Sequence, residues 1–206
     1  QGQIHVTLFD AARTHIWKPR LYEVAAGSLD SQADHLEYLA QARWHHFRFR
    51  LGRMDGLDRI RKEVFVAPVL DENGVEIIRR RRFSYDTLVI AVGSQGNDFG
   101  VPGVAQPCLI LDTTDQAREV HRRLVNDCQG GQTQVSPVIP GQLTVAIVGG
   151  GATGVELAAE LHGTTRQLSS YGLENLDPDK HVRLIIVEAA GRILSGLPPR
   201  LSQAVE

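Results

Sequence analysis

At 206 residues the chain is long enough for one large domain or two small ones, each with a real core. A formal charge of -2, with 22% charged and 42% hydrophobic residues, is ordinary globular composition and offers nucleic acid no electrostatic footing. Cys108 and Cys128 form neither a Cys-x-x-Cys pair nor a disulfide framework, no metal-ligand spacing occurs, and no apolar run approaches the roughly 18 residues of a membrane span, so a reduced cytoplasmic setting without a metal is expected.

Ile4, Val6 and Leu8 alternate with His5 and Thr7 and the run stops at Phe9-Asp10, a strand with an acid at its carboxyl end. Such an acid can hold the hydroxyls of an adenosine ribose; a solvated turn aspartate is the plainer reading. A ribose-binding acid of this kind follows a strand, a glycine turn and a helix by about 20 residues, so a front truncation is expected. Pro19 opens a short helical stretch that Gly27 would end, and Asp34 to His46 can form a helix with Leu36, Leu39 and Ala40 on one face. His45 and His46 are adjacent and cannot share a helix face, which argues against a metal there.

From Phe47 to Val92 the pattern changes to strands, with Asp71-Glu72-Asn73-Gly74 as a hairpin turn. The arginines Arg79 to Arg82 alternate between faces and read as solvated charge. Thr87 to Val92 reads as a buried strand ending in Gly93-Ser94, small residues that let a ligand ring approach the backbone. Asp112 to Thr114 provide caps for a helix with Ala117, Val120, Leu124 and Val125 as its stripe, and Gln129 to Gln142 reads as a polar linker.

The stretch that follows carries the strongest signal. Leu143 to Val148 is an apolar run read as a buried strand, and the glycine cluster Gly149-Gly150-Gly151-Ala152-Thr153-Gly154 leads straight into an alanine- and leucine-rich helix. Gly149, Gly151 and Gly154 fit Gly-x-Gly-x-x-Gly, with separate duties: the sharp turn, backbone approach to a pyrophosphate, and close packing of helix on strand. The helix N-terminus would turn its N–H groups and dipole toward the phosphates. The strand HVRLIIVE ends at Glu188, whose carboxylate would accept from both ribose hydroxyls and repel a 2′-phosphate, favouring NADH over NADPH; Arg192 is a counter-signal. The spacing from Gly149 to Glu188 exceeds the usual ~20 residues, and the polar loop after Ser170 is the expected insertion. Thr153 to Glu156 matches a capping box, which by itself would account for Glu156.

Two strand-ending acids, in VTLFD and LIIVE, suggest two dinucleotide-type lobes. The expected fold is therefore α/β: two Rossmann-like dinucleotide-binding lobes, both incomplete, with a β-meander insertion at about 47–92. Residues 1–128 would form the first partial dinucleotide-binding lobe, 129–142 a linker and 143–206 the second partial lobe.

The order VTLFD, HIWKPRLYEVAAGSL, YDTLVIAVGS, NDFGVPG, GGGATGVELAAEL and VEAAGRIL resembles the type II NADH dehydrogenases of the two-dinucleotide flavoprotein superfamily. The resemblance implies that Asp10 holds the FAD adenosine ribose, that Lys18 and Pro19 lie near the flavin ring, and that Gly93 and Ser94 close the FAD site. It implies NADH on Gly149 to Gly154 with Glu188 on its ribose. Glu156 would lie beside the nicotinamide, a catalytic alternative to its capping role. Hydride would pass from NADH to FAD and electrons to a quinone, without proton pumping. An NADH oxidase, a ferredoxin reductase or a non-catalytic nucleotide-binding fragment are the competing readings. The absence of Cys-x-x-x-x-Cys argues against the disulfide reductases. A position on the inner face of the cell membrane, reached through C-terminal segments absent here, and a homodimer complete the implied picture. The FAD site is expected to be incomplete in this chain, which should bind NADH better than FAD and show little activity alone.

Overall fold

The structure, a computed structural model, describes residues 4–97, 100–102, 108–173 and 175–205. Strands β1 (Thr7–Asp10) and β2 (Thr14–His15) are followed by a turn of 3-10 helix over Lys18–Arg20 and by α1 (Leu21–Ala26). Then come β3 (Leu36–Glu37), α2 (Tyr38–His45) and strands β4 (Arg48–Leu51), β5 (Met54–Asp58), β6 (Glu63–Val66), β7 (Val69–Leu70), β8 (Glu76–Ile78) and β9 (Arg81–Ser84). The remainder holds α3 (Thr114–Thr133), β10 (Leu143–Val148), α4 (Ala152–Ser170), α5 (Pro178–His181), β11 (Val182–Val187) and α6 (Pro199–Val205). The chain divides into two compact units, Gln1–Ile16 with His35–Ser94, and Trp17–Asp34 with Gln95–Glu206.

In the first unit β1 and β4 pair in parallel, from Thr7 opposite Arg48 to Asp10 opposite Leu51. The run FRFRL, expected to open the meander, therefore belongs to a parallel pair instead. The antiparallel sheet is β5-β6-β9, with a separate β7-β8 hairpin closed at Asp71 to Gly74. Phe49, Val64 and Val66 are buried, and Tyr38 stacks on Phe49 with ring centroids 5.0 Å apart. The arginine run ties the strands to one another: Arg80 pairs with Asp55 at 2.8 Å and lies over the Phe65 ring, Arg82 reaches Glu63, and Arg81 donates to the Leu51 carbonyl.

Two further expectations fail in this unit. The helix expected from Asp34 begins only at Tyr38, because Leu36 and Glu37 pair with β2, and Leu36 and Leu39 remain exposed. The buried strand expected from Thr87 to Val92 is irregular, with Val89, Ile90 and Val92 exposed. A strand exists only where a neighbouring backbone completes its ladder, and no described strand runs beside these residues.

The second unit is built on the parallel pair β10–β11, in register from Leu143 opposite Val182 to Val148 opposite Val187. Leu143, Val145, Ile147, Leu184 and Ile186 face a core of Ala26, Leu124, Cys128, Leu161 and Leu176. The opposite face is open at Ala146, Val148 and Val187, so β10 is covered on one side rather than buried. α3 starts at the expected caps: the Thr113 hydroxyl accepts from the Gln116 N–H, and the Gln116 side chain accepts from the Thr113 N–H. It then continues through Gly130 and Gly131 to Thr133, into the stretch read as linker, because Cys128 and Gly131 extend its buried face. Leu176 sits in the core, so the polar loop after Ser170 is anchored rather than loose.

α1 packs on both α3 and α4 and ends at Gly27, whose φ of 90° is left-handed. A Cβ there would lie 2.2 Å from His121 Cε1. Gly27→Ala is expected to cost about 2–4 kcal/mol, through the disfavoured φ and the displaced imidazole, and to lower the thermal midpoint accordingly. Unchanged melting would show that α1 is not held in this way.

Candidate functional site

The site in the second unit follows from the carboxyl end of β10. Gly149 donates to the Val187 carbonyl at 2.8 Å and turns the chain with a φ of 114°, a value that L side chains rarely adopt. A Cβ on Gly151 would meet nothing within 4 Å, whereas one on Gly154 would lie 2.0 Å from the Gly149 carbonyl oxygen. The three glycines thus divide into a turn, an open approach and a close helix–strand contact. Gly150 is buried, while Gly151, Ala152 and Thr153 are exposed at the start of α4, where no side chain caps the helix. N–H groups at such an end need an outside partner, and an anion suits them.

Glu188 reaches back over this turn. One carboxylate oxygen accepts from the Gly150 N–H at 2.6 Å and the other from the Ala190 N–H at 2.8 Å. The Ala190 N–H first, then that of Gly150, hold the carboxyl below the usual carboxylate range against the opposing effect of burial. Leu194 donates to the Gly150 carbonyl at 2.6 Å, so the segment after β11 closes on the turn from the other side. Arg192, the counter-signal for a 2′-phosphate, is committed elsewhere: it donates to the carbonyls of Leu194, Ser195 and Leu197 and to the Ser202 hydroxyl.

The capping box read at Thr153 to Glu156 is not formed. The N-cap is Gly151, whose carbonyl accepts from the Val155 N–H, so Thr153 is already helical and cannot cap. Glu156 is exposed in the second turn of α4. α4 packs on α1, and the Tyr22 hydroxyl of α1 is raised by partial burial and further by the carboxylates of Glu156, Glu23 and Glu160.

Lys18 and Pro19 lie in the same unit, at the 3-10 turn before α1. Lys18 Nζ donates to Asp112 Oδ1 at 2.6 Å, and Asp112 Oδ2 accepts from the Gly96 N–H at 2.5 Å. Asp112 was legible only as a helix cap; its second use joins residues far apart in sequence. The Lys18 bond first, then the Gly96 N–H, hold this carboxyl below the usual carboxylate range against the opposing effect of burial. Asp112→Asn is therefore expected to cost about 0.5–1 kcal/mol at neutral pH. A carboxylate depressed by folding stabilises above its unfolded value and ceases to do so below its folded one, so the deficit should close as pH falls below about 4. Melting curves of both proteins across that range test this, and a deficit independent of pH would contradict it.

Asp10 and Gly93-Ser94 belong to the first unit. Asp10 Oδ1 accepts from the Ala12 N–H at 2.8 Å and Oδ2 from the Tyr38 hydroxyl at 2.9 Å. Gly93 has a φ of 76° and Ser94 is exposed beside it. Nothing in the sequence marked Tyr38. Among the described residues no group of acids, histidines and cysteines could hold a metal ion. A cavity of about 490 Å³ between α3 and β10 shares no lining residue with the glycine turn.

The chain is similar to several known proteins. The chain is 40% identical to the type II NADH:quinone oxidoreductase of Haemophilus influenzae, a match covering 100% of this chain and 49% of that protein. It is 26% identical to the type II NADH:quinone oxidoreductase NdhA of Mycobacterium tuberculosis, over 98% of this chain and 41% of the other. The chain thus spans about half the length of these curated relatives or less. Its fold is that of NDH2 from Plasmodium falciparum, solved in complex with NADH, with a TM-score of 0.78 at 20% identity over 97% of this chain and 40% of that one. A ferredoxin reductase from Rhodopseudomonas palustris shares the fold at a TM-score of 0.65 and 17% identity, over 97% of this chain and 40% of that one. Matched over residues 1–206 by the family model for pyridine nucleotide-disulphide oxidoreductases, the chain belongs to that family.

Proposed function

We propose that this chain provides nucleotide-binding machinery of a type II NADH:quinone oxidoreductase, in which NADH reduces FAD and electrons pass to a quinone. The observation that carries the reading is the turn Gly149 to Gly154 closed by Glu188, in a chain 40% identical to a relative named for that activity. The N–H groups at Gly151, Ala152 and Thr153 bind the NADH pyrophosphate, and the open space at Gly151 admits it. A carboxylate has about four lone-pair positions. Glu188 gives one to Gly150 and one to Ala190, which leaves two for the ribose hydroxyls. Asp10 has the same capacity toward the adenosine ribose of FAD, since Ala12 and Tyr38 take one position each.

Bound FAD supplies the two-electron relay between nicotinamide and quinone. Lys18, fixed by Asp112, presents a positive charge on the segment assigned to the flavin, and Pro19 sets that segment's backbone. Gly93 and Ser94 close the FAD site in this reading. Glu156, released from any capping duty, orients the nicotinamide. The lobes for FAD (1–128) and NADH (143–206) are assigned on the same basis. The reading extends to a homodimer at the inner face of the cell membrane. No helix among the described residues is long and apolar enough to cross a bilayer.

The test is a single turnover without oxygen. With saturating FAD added, NADH is expected to bleach the oxidised flavin band faster than NADPH does, though slowly for such an enzyme because the FAD site of this chain is expected to be incomplete, and a quinone to restore it. An oxidised band that persists with NADH would refute the reading.

A further inference from the structure

The two strand-ending acids are held in related ways. Each gives one carboxylate oxygen to the N–H two residues further on, Ala12 for Asp10 and Ala190 for Glu188. Each gives its second oxygen to a donor from elsewhere in the fold. For Glu188 that donor is the backbone of Gly150 in the glycine turn. For Asp10 it is a side chain, the hydroxyl of Tyr38, at 2.9 Å.

Tyr38 is built for this duty. It is the first residue of α2, and its ring is stacked on Phe49 of β4 at 5.0 Å and 20°. β4 is the strand paired with β1, so the ring that carries the hydroxyl rests on the neighbour of the strand that carries the acid. His15 flanks the ring at 5.9 Å. The Arg13 carbonyl accepts the Tyr38 N–H at 3.2 Å, tying the start of α2 to the chain just beyond Asp10. Backbone and side chain of one residue thus brace the same turn.

We infer that Tyr38 is a positioning residue for Asp10, fixing its carboxylate so that the two remaining lone pairs meet the 2′ and 3′ hydroxyls of a dinucleotide's adenosine ribose. The inference rests on the assignment of Asp10 to the FAD ribose. With the carboxylate clamped at both oxygens, no side-chain freedom is lost when the ribose arrives, and this is the preorganisation that raises affinity without a new ligand contact. Burial, then the bond to Asp10, push the Tyr38 hydroxyl well above its ordinary range, so it remains a proton donor around neutral pH.

The test is a double-mutant cycle on FAD affinity, read by quenching of flavin fluorescence. Tyr38→Phe keeps the stacked ring and removes only the donor. It is expected to weaken FAD about tenfold while leaving NADH affinity unchanged. In an Asp10→Ala background the same change should have no further effect on FAD, an outcome that a merely structural tyrosine would not give. Equal losses in both backgrounds, or an unchanged affinity in Tyr38→Phe, would overturn the inference. Failure of the underlying assignment shows separately, as an Asp10→Ala protein that binds FAD as well as the parent does.

Discussion

Gly154→Val is expected to abolish NADH binding, with affinity falling by on the order of 100-fold or more. The cause is covalent geometry rather than chemistry at the ligand. A Cβ at position 154 would sit 2.0 Å from the Gly149 carbonyl oxygen, and that obstacle is backbone, unable to rotate away. Ile147 Cγ2, at 3.3 Å, blocks the other escape. Either α4 lifts from β10 or the turn opens, and in both cases the N–H groups at Gly151 to Thr153 leave the positions in which they converge. The same strain should lower stability by about 2–4 kcal/mol. Gly163 supplies the control within one helix. A Cβ there meets nothing within 4 Å, so Gly163→Ala should leave NADH affinity alone and stabilise by up to about 1 kcal/mol through helix propensity. Equal effects of the two substitutions, compared by calorimetry and thermal melting, would mean that the close contact is not what fixes the turn.

Glu188→Ala should collapse the coenzyme preference, chiefly by losing NADH. The substitution removes the proposed acceptor for both ribose hydroxyls and leaves the Gly150 N–H without its Glu188 partner, and together these should cost about 30-fold in NADH affinity. NADPH should change by less than about threefold, because relief of repulsion against the 2′-phosphate offsets the loosened turn. No gain beyond that is expected, since Arg192 is spent on three carbonyls and the Ser202 hydroxyl. Because Ala190 and Gly150 stabilise the charged carboxylate, parent NADH affinity should persist below the ordinary glutamate range and decline only as pH falls through the lowered value. Dissociation constants for both coenzymes decide the matter; a variant that binds NADPH much better than the parent would show that Arg192 is free to recruit the phosphate.

How much of this was legible in the sequence depended on range. Gly149, Gly151 and Gly154 were readable because their duties are local, a turn and a strand-to-helix step completed within a few residues. Glu188 was readable as an acid at a strand end, but its bond to the Gly150 N–H, 38 residues away, was not. The capping box at Thr153 misled for a related reason. Four residues fitted the pattern, yet the glycine turn had already begun the helix at Ala152, and local pattern has no way to rank two competing starts. Tyr38 and Asp112 act on partners distant in sequence, Tyr38 on Asp10 and Asp112 on Lys18, and no periodicity encodes such pairs. The strand expected at Thr87 to Val92 had every propensity for β structure, but a ladder partner is a tertiary fact.

The most direct measurement is a calorimetric titration of the purified chain with NADH and with NADPH. One NADH should bind per chain, at least about tenfold more tightly than NADPH, and Gly154→Val should remove the signal while Gly163→Ala preserves it. A folded chain that takes neither coenzyme, or binds both equally, would contradict the assignment of the Gly149–Glu188 turn as an NADH site.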